Sequence, residues 1–384
     1  MNYRNLGRCN IKVSEISLGC EGFNGKTENE TIDLLKYAFE NGVNFIDLYS
    51  SNPSVRTNLG KAIKNLGIRE KFVIEAHLCT TWKNEQYERT RNFEATKLAF
   101  EDLLKRLQTD YIDIGMIHYV DAEDDFEKVF NGEIIEYAKQ LKAEGKIKAI
   151  GLSSHNPVIA KKAIKTGLID VLLFSINPCY DIQPATEDCN DLWDDKNYKN
   201  IEFIIDKDRE ELYELCEKNN IGITVMKCYG GGDLLDSNLS PFKIALSPVQ
   251  CINYCLTRPG VSAVILGIKN KEELDQALEF ENATNKEKDY ANILGKLPTQ
   301  NFDGKCVYCG HCAPCTVGID VASINKYIAL VKAEKEIPET VREHYKSLKH
   351  HANECISCGR CERNCPFHVS IIKKMEEAVE IFGY

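Results

Sequence analysis

The chain has 384 residues, which is enough for two or three domains or for one large barrel with an appendage. Its 43% hydrophobic and 28% charged residues are typical of a globular protein and exclude extensive disorder. The net charge of −10 excludes non-specific nucleic-acid binding, which needs a basic surface. Because there is no signal-peptide pattern and no apolar run long enough to span a membrane, we expect a soluble cytoplasmic protein.

Up to about residue 283, strand-like and helix-like segments alternate. Apolar runs of strand length lie at 14–19, 44–49, 71–78, 111–118, 147–154, 171–177, 222–228 and 263–268. Segments with helical spacing of apolar residues lie between them, at 28–41, 54–66, 90–107, 126–144, 156–166, 209–219, 248–257 and 271–282. This alternation predicts an α/β fold, a closed (β/α)8 TIM barrel over residues 1–283. An open doubly wound sheet is the alternative, but the first turn lacks its G-x-G-x-x-G spacing.

Two segments fall outside this alternation. Residues 3–13 have the pattern of a hairpin that closes the floor of the barrel. The acidic stretch 178–208, between the sixth strand and its helix, is long for a barrel loop. It is either a lid over the reaction site or a plain insertion.

Polar side chains gather at the predicted strand ends. The three histidines of the first 300 residues, His77, His118 and His155, end or follow three consecutive strands. Asp47 ends the second strand, and Glu75 lies two residues before His77, so both can face the same side. Because TIM-barrel reaction sites lie at the carboxyl ends of the strands, these residues predict a functional mouth.

Several segments resemble the aldo-keto reductases over roughly residues 1–283. They are GVNFID (42–47), LGKAI (59–63), YIDIGMIH (111–118), GLSS (151–154), INPCY (176–180) and VMKCYGGG (225–232). The resemblance implies a (β/α)8 barrel that binds NADP(H) in extended form and reduces carbonyl compounds. It also implies a tetrad of Asp, Tyr, Lys and His, in which the tyrosine donates a proton to the carbonyl oxygen.

The match to that tetrad is partial. Asp47 and His118 fall on its Asp and His, whereas the Tyr position holds Asn52 and the Lys position holds His77. An asparagine has no titratable proton, so Asn52 cannot be the general acid, while a histidine can. The predicted catalytic residues are therefore Asp47, His118, His77 and Asn52. The proton donor is His118, His77 or a displaced phenol such as Tyr49 or Tyr119; the alternative is a barrel that has lost this chemistry.

The predicted cofactor site is also altered. Glycines follow the seventh strand and Lys269 follows the eighth, where free N–H groups and positive charge can hold the phosphate of NADP(H) or of a flavin. With the family segments, this gives the candidate cofactor-binding residues Ser153, Asn177, Gly230, Gly231 and Lys269. The family's Arg, Glu and Asn in the last helix are replaced by Glu273, Gln276 and Ala277. The family's contacts to the adenosine end of a nucleotide are therefore not matched in this sequence.

Eight of the 17 cysteines lie in two short runs, CVYCGHCAPC (306–315) and CISCGRCERNCP (355–366). The second run has the C-x2-C-x2-C-x3-C-P spacing of bacterial ferredoxins, in which the fourth cysteine serves the other cluster. Zinc is the structural alternative, but two consecutive four-cysteine runs favour two [4Fe–4S] clusters. We assign one cluster to Cys306, Cys309, Cys312 and Cys365, and the other to Cys355, Cys358, Cys361 and Cys315.

The cysteine runs define a second predicted domain. Residues 284–300 form a linker, and residues 301–384 form a small, mainly helical ferredoxin-like domain with helices at 321–335 and 338–350. It resembles the ferredoxin domains of succinate dehydrogenases and of some bacterial aldo-keto reductase-like proteins. Basic and acidic side chains are equal in number there, so composition indicates no charged patch.

Together these features predict an anaerobic iron–sulfur oxidoreductase that couples electron transfer through two clusters to redox chemistry on a small organic substrate. A redox partner protein could exchange electrons with the clusters, and a flavin could join them to a nicotinamide. One alternative is an NADPH-dependent carbonyl reductase with purely structural clusters. Another is a non-catalytic electron carrier or redox sensor on a degenerate barrel. The sequence does not indicate the substrate or the oligomeric state.

Overall fold

The protein is described by a computed structural model that covers residues 1–193, 204–294, 304–332 and 337–384. Eight parallel strands form a closed barrel in which each strand pairs with its neighbours in the chain. They are β1 Ile16–Gly19, β2 Phe45–Leu48, β3 Val73–Leu78, β4 Ile112–Ile117, β5 Ile147–Ser154, β6 Val171–Ser175, β7 Gly222–Met226 and β8 Val261–Leu266. The (β/α)8 barrel is therefore confirmed.

The helices surround the strands as the periodicity indicates. They are α1 Glu28–Glu40, α2 Pro53–Leu66, α3 Phe93–Leu107, α4 Glu123–Phe130, α5 Glu133–Ala143, α6 Pro157–Lys165, α7 Lys207–Lys218, α8 Pro248–Leu256 and α9 Lys271–Asn282. The expected single helix at 126–144 is wrong, because it divides into α4 and α5 around Gly132. A side chain at Gly132 would collide with the carbonyl oxygen of Lys128.

Hairpins occupy both ends of the barrel. At the floor, Tyr3–Asn5 pairs with Lys12–Ser14, as expected from residues 3–13. A second hairpin, which the sequence analysis did not identify, pairs Thr80–Lys83 with Gln86–Arg89 between β3 and α3.

The interior of the barrel changes from apolar to polar along its axis. Near the floor it contains Phe45, Val73 and Ile114, packed with Leu6 of the floor hairpin. Side chains alternate across each strand, so Asp47 follows Phe45 on the inner face, and Glu75 and His77 follow Val73. The polar side chains therefore meet at the carboxyl end of the barrel.

The C-terminal region is helical, with α10 Ala291–Leu294, α11 Val321–Lys332, α12 Glu339–Lys346, α13 Arg360–Asn364 and α14 Ile371–Phe382. It packs against α7, where Lys326 pairs with Glu217 and Lys305 pairs with Glu210. The predicted linker 284–300 contains α10, and residues 295–300 lie outside the described residues, as do 333–335 of the expected helix. In the described part of the chain, no helix is long and apolar enough to cross a membrane.

Candidate functional site

Four buried polar side chains from three adjacent strands meet at the mouth of the barrel. Asp47 lies on β2, Glu75 and His77 lie on β3, and His118 directly follows β4. His77 Nε2 lies 3.0 Å from Asp47 Oδ1, and His77 Nδ1 lies 2.6 Å from His118 Nδ1. Glu75 sits deeper, with the hydroxyl of Thr224 3.4 Å from its carboxylate oxygens. The structure therefore brings together three of the four predicted catalytic residues.

A tyrosine that the sequence analysis missed completes this line. The phenol oxygen of Tyr87, in the second hairpin, contacts Nε2 of His118. The turn of this hairpin is tight, because Asn84 and Glu85 both adopt left-handed backbone angles. The following helix α3 begins after Asn92, whose side chain accepts from the Ala95 N–H.

The hydrogen bonds form a directed chain. An ionised Asp47 can only accept, so His77 carries its proton on Nε2 and accepts at Nδ1. His118 then donates from Nδ1 to His77, which leaves His118 Nε2 to accept the hydroxyl proton of Tyr87. We call Tyr87, His118, His77, Asp47 and Glu75 the mouth relay.

Burial sets the protonation states of the relay. It raises the pKa of Glu75 well above its usual value, and the negative charge of Asp47 raises it further, so Glu75 holds a proton. Burial, and then the neighbouring His77, lower the pKa of His118, which is therefore neutral. Burial also raises the pKa of Tyr87, which keeps its phenol protonated at neutral pH.

Other candidates at the mouth have different contacts. Asn52, the fourth predicted catalytic residue, caps α2, where its Oδ1 accepts from the Ser54 N–H. Tyr49 donates to the Glu21 carboxylate at 3.0 Å, and the Tyr119 ring lies against His155. Among the described residues, the phenol that contacts His118 Nε2 is that of Tyr87, in place of either displaced phenol suggested by the sequence.

His155 belongs to a neighbouring cluster at the same end of the barrel. Its Nδ1 lies 2.8 Å from Asp121 Oδ2. Burial alone would raise the pKa of Asp121, but hydrogen bonds from His155 and Ser154 lower it. Cys189, from the loop after β6, approaches both residues, with potential ligand atoms of all three within 4.8 Å of one another. The described part of the 178–208 loop therefore reaches the mouth, while 194–203 lie outside the described residues.

The predicted cofactor residues lie along the carboxyl ends of β5 to β8. Ser153 is buried at the end of β5, and Asn177 links two loops by donating to the Lys227 carbonyl oxygen and accepting from the Cys179 and Tyr180 N–H groups. Gly230 and Gly231 have positive φ angles of 59° and 75°.

A carboxylate occupies one of the places proposed for a phosphate. The Glu273 carboxylate accepts from the backbone N–H of Lys269 at 2.8 Å, at the start of α9. In the sequence, Asp233 directly follows the glycines after β7. Negative charge at a helix start satisfies the same N–H groups that would bind a phosphate. The Lys269 N–H proposed for the phosphate of NADP(H) or of a flavin is therefore already bound to a carboxylate.

The eight C-terminal cysteines separate into two groups of four. One small cavity is lined by Cys306, Cys309, Cys312 and Cys365, together with Val321 and Ile371. The other is lined by Cys315, Cys355, Cys358 and Cys361, together with Ile319 and Met375. These are the two sets assigned from the spacing, and four thiolates around an apolar cavity fit a [4Fe–4S] cluster. We call the sites cluster site 1 and cluster site 2.

Comparison with known proteins agrees with this architecture. A profile of the "Aldo/keto reductase family" matches residues 15–245, and one of the "4Fe-4S dicluster domain" matches residues 304–369. The aldo-keto reductase YhdN of Bacillus subtilis is 33% identical over 162 residues, which are 40% of this chain and 47% of that protein. The oxidoreductase YqkF of the same organism is 26% identical over 300 residues, 74% of this chain and 92% of YqkF.

The fold is also similar to a solved structure. The holo form of an aldo-keto reductase from Bacillus halodurans superposes with a TM-score of 0.60 at 22% identity, covering 77% of this chain and 96% of that one. The barrel, the matched profiles and the grouped cysteines lead to one conclusion. This chain is an oxidoreductase that belongs to the aldo/keto reductase family and carries a C-terminal 4Fe-4S dicluster domain.

Proposed function

We propose that this oxidoreductase acts on a small organic substrate at the barrel mouth, where Tyr87 exchanges a proton with the substrate oxygen. The observation that carries the proposal is the unbroken line of contacts from Asp47 through His77 and His118 to Tyr87. In this proposal Tyr87 takes the place of the missing family tyrosine, and His77 takes that of the lysine.

The mouth relay has two proton arrangements. With Asp47 ionised, every hydrogen bond points inward, so Tyr87 can take a proton from the substrate while each neighbour passes one on to Asp47. With Asp47 protonated, every bond reverses, and Tyr87 can deliver a proton to a substrate oxygen. Glu75 holds the proton that converts the first arrangement into the second.

The C-terminal domain provides the electrons in this proposal. When bound, the two [4Fe–4S] clusters supply or accept single electrons. Cluster site 1 lies beside the barrel, because Val307, next to Cys306, accepts from the Arg258 guanidinium at 2.6 Å. We propose the eight cysteines as ligands in the two sets given above. A redox partner protein would exchange electrons with cluster site 2, where Cys358 is exposed.

NADPH-dependent reduction with structural clusters is less well supported. Glu273 binds the Lys269 N–H where a nucleotide phosphate would bind, and Asp233 adds a second acidic residue next to the glycines in the sequence. We therefore expect NADPH to leave the visible absorbance of the anaerobic, cluster-reconstituted protein unchanged, while dithionite bleaches it. Bleaching by NADPH would restore the nicotinamide-dependent alternative.

The proton-exchange role is tested by Tyr87→Phe, with Tyr49→Phe as the matched control. Reduced methyl viologen supplies electrons, and turnover of methylglyoxal and a panel of small aldehydes and ketones is measured. We expect Tyr87→Phe to lose about a hundredfold or more in kcat, the usual contribution of general acid–base catalysis, and Tyr49→Phe to stay close to wild type.

The cluster absorbance should be the same in both variants, since neither tyrosine lies in the C-terminal domain. His118→Ala should also abolish turnover with this absorbance intact. Wild-type turnover by Tyr87→Phe, or no turnover of the whole panel by wild-type protein, would contradict the proposal.

A further inference from the structure

The two cluster sites differ in what surrounds them. Cluster site 1 is enclosed on one side by the barrel, since Arg258 contacts Val307 and Asp289 pairs with His311 at 2.5 Å. Both cavities are lined only by residues of the C-terminal domain, but among the eight cysteines only Cys358 of cluster site 2 is exposed to solvent. Cluster site 2 is therefore the outer of the two.

An apolar side chain projects beside this outer site. Ile356, between Cys355 and Cys358, has 59% of its surface exposed. Isolated exposed apolar residues are common and need no explanation by themselves. Here the residue lines the cavity of four cysteines, so it lies where another protein would have to approach a cluster.

Two acidic and two basic side chains lie close to Ile356 in the sequence. The two nearby acids are used within the fold: Glu354 pairs with His350 at 2.8 Å, and Glu362 accepts from the Ile372 N–H at 2.9 Å.

The two arginines that follow Ile356 in the sequence are exposed to solvent. Arg363 is exposed and donates to the Cys358 carbonyl oxygen at 3.2 Å. Arg360 is exposed and forms no ion pair with any residue that the structure describes. The surface beside cluster site 2 therefore has an exposed apolar side chain with two exposed arginines at its edge.

We propose that Ile356, Cys358, Arg360 and Arg363 form a docking face for an acidic one-electron carrier protein of the ferredoxin class. An apolar centre excludes water from the contact, and a charged rim of opposite sign steers the partner. A [4Fe–4S] cluster held by Cys315, Cys355, Cys358 and Cys361 would accept one electron from the docked carrier, which would oxidise the carrier and reduce the cluster by one electron, with no bond or proton transferred. The later use of that electron at the mouth rests on the proposed function, whereas docking does not.

The experiment uses the full chain with reconstituted clusters and a reduced plant-type [2Fe–2S] ferredoxin under anaerobic stopped flow. The rate of ferredoxin reoxidation is followed by its visible absorbance at low and high salt. We expect the double variant Arg360→Glu, Arg363→Glu to be slower by at least about tenfold at low salt and to lose the salt dependence. Ile356→Asp should slow the rate, whereas Ile356→Leu should not.

The matched control is Lys128→Glu, Lys139→Glu, which makes the same change in net charge on exposed barrel helices. It should react at the wild-type rate, and equal slowing in both double variants would overturn the proposal. Methyl viologen needs no docking face and should reduce every variant equally. If a variant of the docking face is also reduced slowly by methyl viologen, the substitution has altered the cluster itself. That result would also overturn the docking proposal.

This test is separate from that of the mouth. Tyr87→Phe should accept electrons from ferredoxin at the wild-type rate even though it fails to turn over substrate. Failure of the docking face and failure of the mouth relay are therefore distinguishable.

Discussion

Glu75 lies in the barrel interior with no exposed surface, one strand from Asp47. Two ionised carboxylates in such a place would be costly, because burial disfavours charge and the two charges repel. One proton held between Asp47 and Glu75 removes most of this free-energy cost. The raised pKa of Glu75 indicates that Glu75 keeps this proton, which is the proton that the proposed mouth relay can draw on.

This proton makes stability depend on pH in a defined direction. The pKa of Glu75 in the folded chain is raised above its usual 4.5, so above that value the folded state keeps a proton that the unfolded state releases. The contribution is fully present below the usual pKa and is lost as the pH rises through the folded pKa. Glu75→Gln cannot ionise and should lose this dependence.

The measurement is the thermal unfolding midpoint between about pH 5 and pH 8. We expect the midpoint of the wild type to fall with pH relative to that of Glu75→Gln. Glu136→Gln, on the exposed side of α5, is the control and should keep the wild-type slope. Parallel curves for Glu75→Gln and wild type would mean that Glu75 does not keep a buried proton.

At the scale of elements, the regular parts of the fold are predictable from local pattern. Apolar runs locate the strands to within a few residues, and β5 spans the predicted 147–154. The cysteine groups are also predictable, because three cysteines of each group lie in one short run and the ferredoxin spacing assigns the fourth from the other run. The strands and the runs can be recognised within one short stretch, whereas the exchange of the fourth cysteine follows from the known pattern.

The hairpin that contains Tyr87 and the contacts of the mouth relay could not be predicted from local sequence patterns. Its strands, Thr80–Lys83 and Gln86–Arg89, are four residues long and mostly polar. Trp82 and Tyr87 around the polar turn are the only signal, and they face each other in the ladder. That Tyr87 reaches His118 depends on the pairing of β3 with β4, which are separated in the chain by the hairpin and α3.

Gly60, in the LGKAI segment of α2, has a steric role. A Cβ there would lie 2.1 Å from the Arg106 carbonyl oxygen and 2.7 Å from the Leu107 Cα. Both atoms belong to the backbone at the end of α3, so α2 and α3 would have to separate.

We expect Gly60→Ala to lower the free energy of unfolding by about 1–3 kcal/mol, the usual cost of overpacking, although alanine favours a helix more than glycine does. Denaturant unfolding measures this change. Lys61→Ala, at the exposed neighbouring position, is the control and should stay within about 0.5 kcal/mol. An unfolding free energy of Gly60→Ala at or above wild type would show that the helices can separate freely.

At the scale of the whole molecule, a buried polar seam joins the cluster domain to the barrel. Arg258 is almost fully buried and donates to the Val307 carbonyl oxygen and the Tyr290 hydroxyl. Its Nε donates to the carbonyl oxygen of Tyr254, whose hydroxyl in turn donates to Asp181 at 2.8 Å.

The seam continues toward the mouth. Asp181 lies 3.8 Å from Arg209, which donates to the Ser175 carbonyl oxygen at 3.0 Å and to that of His155 at 3.5 Å. Burial raises the pKa of Asp181, while the charges of Arg209 and Arg258 oppose that rise. One buried carboxylate thus interacts with two buried cations between cluster site 1 and the carboxyl ends of β5 and β6.

Removing one of these buried cations should therefore lower the free energy of unfolding more than a substitution on the surface does. We expect Arg258→Met to lower the free energy of unfolding by about 3–5 kcal/mol, because Asp181 loses a balancing charge and the Val307 carbonyl oxygen loses its donor. Arg258→Lys keeps the charge but not the planar fork, so it should recover only part of the loss. Arg342→Met, half-exposed on α12, should change stability by about 0.5 kcal/mol or less. Denaturant unfolding of the reconstituted protein separates these cases, and equal stability of Arg258→Met and Arg342→Met would mean that the seam does not hold the two parts together.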